Sequence, residues 1–110
     1  MDTYPRELKF YLSDTGRAPF KEWLDSLKDA KGRAKIRVRL DRVRLGNFGD
    51  YQGVGEGVQE LRIDYGPGYR VYFGRDGETI VVLLCGGDKR SQANDIDLAK
   101  QYWNDYRRRS

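Results

Sequence analysis

The residues best suited to chemistry in this sequence are two arginines. They stand in two short runs, VQELRI (58–63) and YRVYFG (69–74), joined through the turn signal Gly66-Pro67-Gly68. Both runs alternate apolar and polar residues, as strands with one buried face do. Leu61 and Ile63 point one way, Glu60 and Arg62 the other; Val71 and Phe73 point one way, Arg70 and Tyr72 the other. A hairpin that sets Ile63 opposite Tyr69 brings Leu61 to Val71, Arg62 to Arg70 and Glu60 to Tyr72, so that the apolar pairs coincide. Two guanidiniums side by side repel each other unless an anion lies between them, and guanidinium matches phosphate in a bidentate fork. The plain alternative is a pair of solvated arginines tied to Glu60. Both side chains are expected to lie outside the core.

Further on, GGDKRS (86–91) is expected to hang Lys89 and Arg90 over the same strand end, its two glycines allowing a tight turn. It lacks the spacing of a phosphate-binding Walker loop, and GVGEG (53–57) is too loose for a dinucleotide fingerprint. The chain has no histidine and one cysteine, Cys85, inside the apolar run IVVLLC. Histidine triads, internal disulfides and most zinc sites are excluded, and Cys85 reads as a small buried hydrophobe. Acid–base work falls to Glu, Asp, Lys, Tyr or Arg. No metal and no cofactor is expected.

The elements that must position these residues follow from periodicity. ELKFYL (7–12) reads as a strand, and Pro19 opens a helix whose Phe20, Trp23, Leu24 and Leu27 repeat at helical spacing. Lys31-Gly32 is expected to interrupt, with a second helix over about 33–46. Ile36, Leu40 and Val43 form one stripe of it; Val38 and Leu45 lie nearly opposite, flanked by Arg33, Arg37 and Arg44 on one side and Lys35, Arg39 and Arg42 on the other. A helix apolar on two faces is packed from two sides, by the sheet on one and by the first helix or a partner protein on the other, so Val38, Arg39, Arg42 and Leu45 form a candidate surface for a partner protein. The glycine-rich 47–57 reads as a loop. TIVVLLC (79–85) follows an Asp76-Gly77 two-residue hairpin turn and, being continuously apolar, belongs in the middle of the sheet. That turn places Val81 and Leu83 on the arginine face, as an apolar patch for a partner or the last helix to cover and so a second candidate partner surface. Ser91 is placed to cap a last helix, with Ile96, Ala99, Trp103 and Tyr106 on one face.

The order is thus β-α-α-β-β-β-α, an α+β chain with a mainly antiparallel sheet and a helical hairpin on one face. Its 110 residues fit one domain, 1–110. Lacking a signal-peptide pattern or a membrane-length apolar stretch, it is expected in the cytoplasm. A net charge of +4 hints at an anionic partner.

VQELRIDYGPGYRVYF, the apolar strand and GGDKRSQANDI together resemble the RelE/ParE toxin superfamily of bacterial toxin–antitoxin systems, most closely the HigB-like branch of addiction module killer proteins. The likeness runs from ELKFYL to the last helix and implies a curved RelE-like sheet. It also implies metal-independent cleavage of messenger RNA on the ribosome by basic residues of the concave sheet. Carried over by position, Arg70 matches the strand arginine, Arg62 the second basic position, and Lys89 or Arg90 the basic residue after the last strand. Glu60 or a lysine would serve as base, Arg62, Arg70 and Lys89 would stabilise charge, and Arg90 and Tyr72 would contact RNA. The departure from the pattern is the aromatic or histidine that several relatives place near the C-terminal segment: around Asn94 there is neither, and Tyr102 and Tyr106 lie further along the helix. The implied partners are messenger RNA, the ribosome and a cognate helix-turn-helix antitoxin, through which alone operator DNA would be met. Superfamily members differ, so two other readings stand beside this one: a ParE-like inhibitor that binds DNA gyrase without catalysis, and an inactive remnant that only binds a partner.

Overall fold

The structure, a computed structural model, describes residues 4–110. Strand β1 (Glu7–Phe10) leads into helices α1 (Pro19–Ser26) and α2 (Ala30–Arg44). Four strands follow, β2 (Tyr51–Gly55), β3 (Val58–Ile63), β4 (Tyr69–Asp76) and β5 (Ile80–Gly87), and the long helix α3 (Gln92–Arg109) closes the chain. The five strands form one open mixed sheet in the order β1-β5-β4-β3-β2. β1 runs parallel to β5, and the other neighbours are antiparallel.

The α+β class, the helical hairpin and the internal place of β5 follow the sequence reading. The element order does not, because 47–57 holds a strand. β2 pairs with β3 through a two-residue turn, Glu56-Gly57, in which both residues have positive φ. That is the backbone of the tight hairpin turn whose twist suits flanking strands. Three glycines in seven residues hide the strand, since glycine carries no side chain to show alternation.

The helix boundary at 33 also moves. α2 begins at Ala30, because Asp29 caps it by accepting from the Gly32 amide at 2.9 Å. Gly32 lies inside the first turn, where a Cβ would strike the Asp29 carboxylate and the Tyr69 ring.

Each face of the sheet carries its own core. α1 and α2 bury Phe20, Leu24, Ile36, Leu40 and Val43 against Leu61, Ile63, Val71, Phe73, Val81 and Leu83. α3 buries Ala99 and Trp103 against Val58, Tyr72, Val82, Leu84 and Cys85 on the opposite face. Ile96 and Tyr106 flank them, as the spacing of α3 predicts.

Val81 and Leu83 are therefore under the helical hairpin, buried, and not on the arginine face. The cause is loop length. Asp76 pairs with Ile80, so the β4–β5 loop has three residues, 77–79, rather than two. Phe73 then faces Leu83, and the parity of β5 flips. A bulge at Tyr72/Phe73 further places both Leu84 and Cys85 in the α3 core. Among the described residues no helix is long and apolar enough to cross a membrane.

Candidate functional site

The β3–β4 register is the one the alternation predicts: Glu60 pairs with Tyr72, Leu61 with Val71, Arg62 with Arg70 and Ile63 with Tyr69. Arg62 and Arg70 are thus cross-strand neighbours on the α3 face, at the end of the sheet where α3 begins. They open into a cleft of about 390 Å³ whose walls also include Lys89, Asp50, Asp64 and the turn Gly66-Pro67-Gly68.

The turn is shaped for close approach. Gly68 has φ +80°, and a Cβ there would lie 3.1 Å from the Lys89 side chain and 3.5 Å from Arg70 Nη1. Without that Cβ, the lysine stem and the guanidinium lie against the turn. Arg70 Nη1 donates to the carbonyls of Gly68 at 3.2 Å and Tyr69 at 3.3 Å. The Lys89 amide reaches the Pro67 carbonyl at 3.5 Å.

Between the two arginines lies Glu60, fully buried at 0% exposure. Its Oε1 accepts from Arg62 Nε at 2.9 Å. Its Oε2 accepts from the Tyr72 hydroxyl at 3.0 Å and from Gln92 Nε2 at 2.7 Å, and lies 3.9 Å from Arg70 Nε. Burial alone would raise the Glu60 carboxyl pKa; the hydrogen bonds from Gln92, Arg62 and Tyr72 outweigh it and hold it below the ordinary value. The Tyr72 phenol moves the other way, pushed up by burial and by the charge of Glu60, so it stays a donor. A carboxylate with these four partners holds the two facing arginines together.

Several expectations change here. Glu60 does not face the cleft and its oxygens are taken, so it does not serve as the base in this arrangement. Tyr72 is also fully buried and offers nothing to RNA. Arg70 lies inside the core at 7% exposure, contrary to the expectation for both arginines, while Arg62 is half-buried. Arg90 is exposed, but the cleft-lining residues do not include it. Tyr102 and Tyr106 are likewise outside the lining: Tyr102 stacks on Tyr11 at 4.9 Å, and the Tyr106 hydroxyl donates to Asp76 at 2.6 Å. Cys85 is buried as expected, and burial with nearby Asp95 pushes its thiol up to about 12.

The glycines of GGDKRS do something other than turn. Gly86 and Gly87 are the last residues of β5, where Gly87 pairs with Arg70. A Cβ on Gly86 would collide with the Trp23 ring of α1, and one on Gly87 with Asp95 and Ser91 of the α3 start. Their bareness lets α1 and the first turn of α3 close on the strand end from opposite sides. Ser91 stands at the helix start, but its hydroxyl donates to Asp95 and accepts from the Asp88 amide at 3.2 Å.

That docking delivers Gln92 to Glu60. Gln92 was missed by the sequence reading although it carries a signal: 92, 96, 99 and 103 share one helical face, which puts Gln92 toward the sheet. Asp50 and Asp64 carry no comparable signal.

The outer stripe of α2 is uncovered among the described residues, with Val38 50% and Leu45 67% exposed. A hollow of about 360 Å³ beside it is lined by Lys31, Lys35, Val38, Arg39, Arg42 and Tyr65, among others. Arg39 is not available there. Its Nη1 donates to the Arg62 carbonyl, and its Nη2 to those of Phe48 at 2.9 Å and Asp50 at 3.1 Å. It ties the 48–50 segment to the end of β3.

Residues 22–104, which include every cleft residue, match the model of a family described as Phage derived protein Gp49-like. An uncharacterized protein of Haemophilus influenzae is 51% identical over 81 residues, covering 74% of this chain and 82% of its own length.

Proposed function

We propose that this chain, which belongs to the phage-derived Gp49-like family, is the RelE-like toxin of a toxin–antitoxin module and cuts messenger RNA at the Arg62–Arg70–Lys89 cleft, on translating ribosomes. The observation that carries this reading is the pair of facing guanidiniums, held by a buried carboxylate and opening with Lys89 onto one cleft. Such a pair suits a phosphodiester better than a neutral ligand.

Cleavage at a ribose phosphate requires that the 2′-hydroxyl lose a proton as it attacks phosphorus. The charge of the pentacoordinate phosphorus must be stabilised, and the departing 5′-oxygen must gain a proton. Arg62 and Arg70 provide the second, with donors fixed before substrate arrives. Lys89, on the same cleft, would neutralise the leaving oxygen. The base comes from the exposed carboxylates of the cleft wall, Asp50 and Asp64, since Glu60 is enclosed. The ribosome orients the message, which lets weak acid–base groups suffice.

Induced expression followed by primer extension on cellular transcripts tests this. Growth arrest with new 5′ ends inside translated messages supports it. Arrest with whole transcripts and altered DNA supercoiling would instead establish the gyrase-inhibitor reading.

A further inference from the structure

Glu60 has four partners, and three of them belong to the sheet. The fourth, Gln92, comes from the first turn of α3 and makes one of the shortest contacts of the set, 2.7 Å to Oε2. It shares that oxygen with the Tyr72 hydroxyl, while Arg62 Nε holds Oε1. The orientation of the carboxylate plane, and with it the direction in which Arg62 presents its two Nη groups, therefore depends on a residue of another element. Arg70 Nε makes no hydrogen bond and is buried, 3.9 Å from Glu60 Oε2, so a small rotation of the carboxylate changes its contact as well.

From this geometry we propose that Gln92 is a positioning residue for the arginine pair: its amide fixes Glu60 Oε2, so that the seating of α3 on the end of β5 sets how Arg62 and Arg70 face a phosphate in the cleft. The inference rests on the reading of the cleft as a phosphodiester site, yet it concerns anion binding and needs no turnover. Gln92 is half-buried and absent from the cleft lining, so it acts through Glu60 and not on the ligand. The seat is tight, since Gly87 leaves no room for a Cβ beneath Asp95 and Ser91. The amide is also the right donor for the place. A carboxylate at 92 would repel Glu60, whereas an ammonium would compete with the arginines for it.

The test uses inorganic pyrophosphate as the probe and the arginine Nε–H signals in nitrogen-15 spectra as the readout. In the wild-type protein, saturating pyrophosphate should move the Arg62 and Arg70 Nε–H signals and the Gln92 side-chain amide signal along one common binding curve. A Gln92 signal that stays still at saturation, or the absence of pyrophosphate binding at the arginines, overturns the proposal without any variant being needed. Gln92→Met, which keeps length and loses the amide, should lower pyrophosphate affinity about five- to tenfold and shift the Arg62 Nε–H signal while amide exchange in the sheet stays protected. A protected Gln92→Met protein with unchanged affinity and an unchanged Arg62 signal would show that Gln92 is only packing. These outcomes are separate from those of RNA cleavage: intact transcripts in the cell would remove the nuclease reading and leave the link from Gln92 to the arginines standing.

Discussion

The two arginines pair across the strands, yet their surroundings make them unequal. The Arg70 side chain is 8% exposed and Arg62 36%. Arg70 also holds the Gly68 and Tyr69 carbonyls, so its removal strips a buried site of charge and of hydrogen bonds. Arg70→Ala should cost about 2–4 kcal/mol of stability, and Arg62→Ala about 1 kcal/mol. Both should remove about 2–4 kcal/mol of transition-state stabilisation, as the loss of one preorganised donor does. Urea unfolding together with toxicity assays separates the two; a folded, fully toxic Arg62→Ala protein would remove Arg62 from the mechanism. Glu60 gives a pH signature. Its folded pKa lies below the unfolded value, about 4.3 for a glutamate, so it adds stability above that value and loses it as pH falls through the folded pKa. Glu60→Gln should therefore cost about 2–4 kcal/mol near neutral pH, where the arginines lose their anion. The gap to wild type should narrow below about pH 4, where wild type itself gives up the same contribution. Equilibrium unfolding at both pH values checks the sign, and a gap independent of pH would contradict it.

Between elements, the decisive contacts are those where a ring or a helix turn lies directly on bare backbone. Trp103 of α3 lies on Gly74, where a Cβ would be 2.5 Å from its ring, and Trp23 of α1 lies on Gly86. Gly87 and the Asp95–Ser91 pair complete the seat of α3. Gly87→Ala should force α3 off the strand end and cost more than about 2 kcal/mol, since overpacking a tight site typically costs about 1–3 kcal/mol. It should also weaken anion binding, because Gln92 moves with the helix. Gly53→Ala is the matched control in the same sheet: nothing lies within 4 Å of its Cβ position and its φ is not positive. Thermal unfolding of the two variants, one much lowered and one near wild type, would locate the constraint at the helix seat.

At the scale of the molecule, one sheet is sandwiched between a helical hairpin and α3, with the arginine cleft at one end. A second basic region lies on α2, where Val38 is exposed beside Lys31, Lys35 and Arg42, and Leu45 is exposed at the C-terminal end of the same helix. On the proposed toxin reading, that surface is the one we propose for the antitoxin, because an apolar stripe rimmed by cations suits an amphipathic acidic segment. Val81 and Leu83 take no part, being under the hairpin. Arg39 is a poor probe, since its carbonyl contacts shape the wall of the cleft. Lys35→Glu with Arg42→Glu should weaken the antitoxin complex at least about tenfold by titration calorimetry and leave toxicity intact. Unchanged affinity would move the docking surface elsewhere.

Alternation along β3 and β4, together with the Gly-Pro-Gly turn, was enough to determine their register and hence the meeting of Arg62 with Arg70. Such a hairpin is a local object whose apolar residues must share a face, and a slip of one would expose all of them. The second apolar stripe of α2 was legible for the same reason, since helical periodicity needs no knowledge of the partner; that α1 leaves it open was decided by the packing. Tertiary structure alone decided the rest. One extra loop residue between β4 and β5 sent Val81 and Leu83 to the other face, because strand parity is set by the turn and not by the strand. The strand at 51–55 stayed hidden until β3 supplied its partner. Most of all, the burial of Glu60 and Tyr72 depends on α3, whose first turn begins 32 residues after Glu60 and reaches it through the Gln92 amide. Charge and spacing named the arginines; only the packing of a distant helix made them a fixed pair around a buried anion.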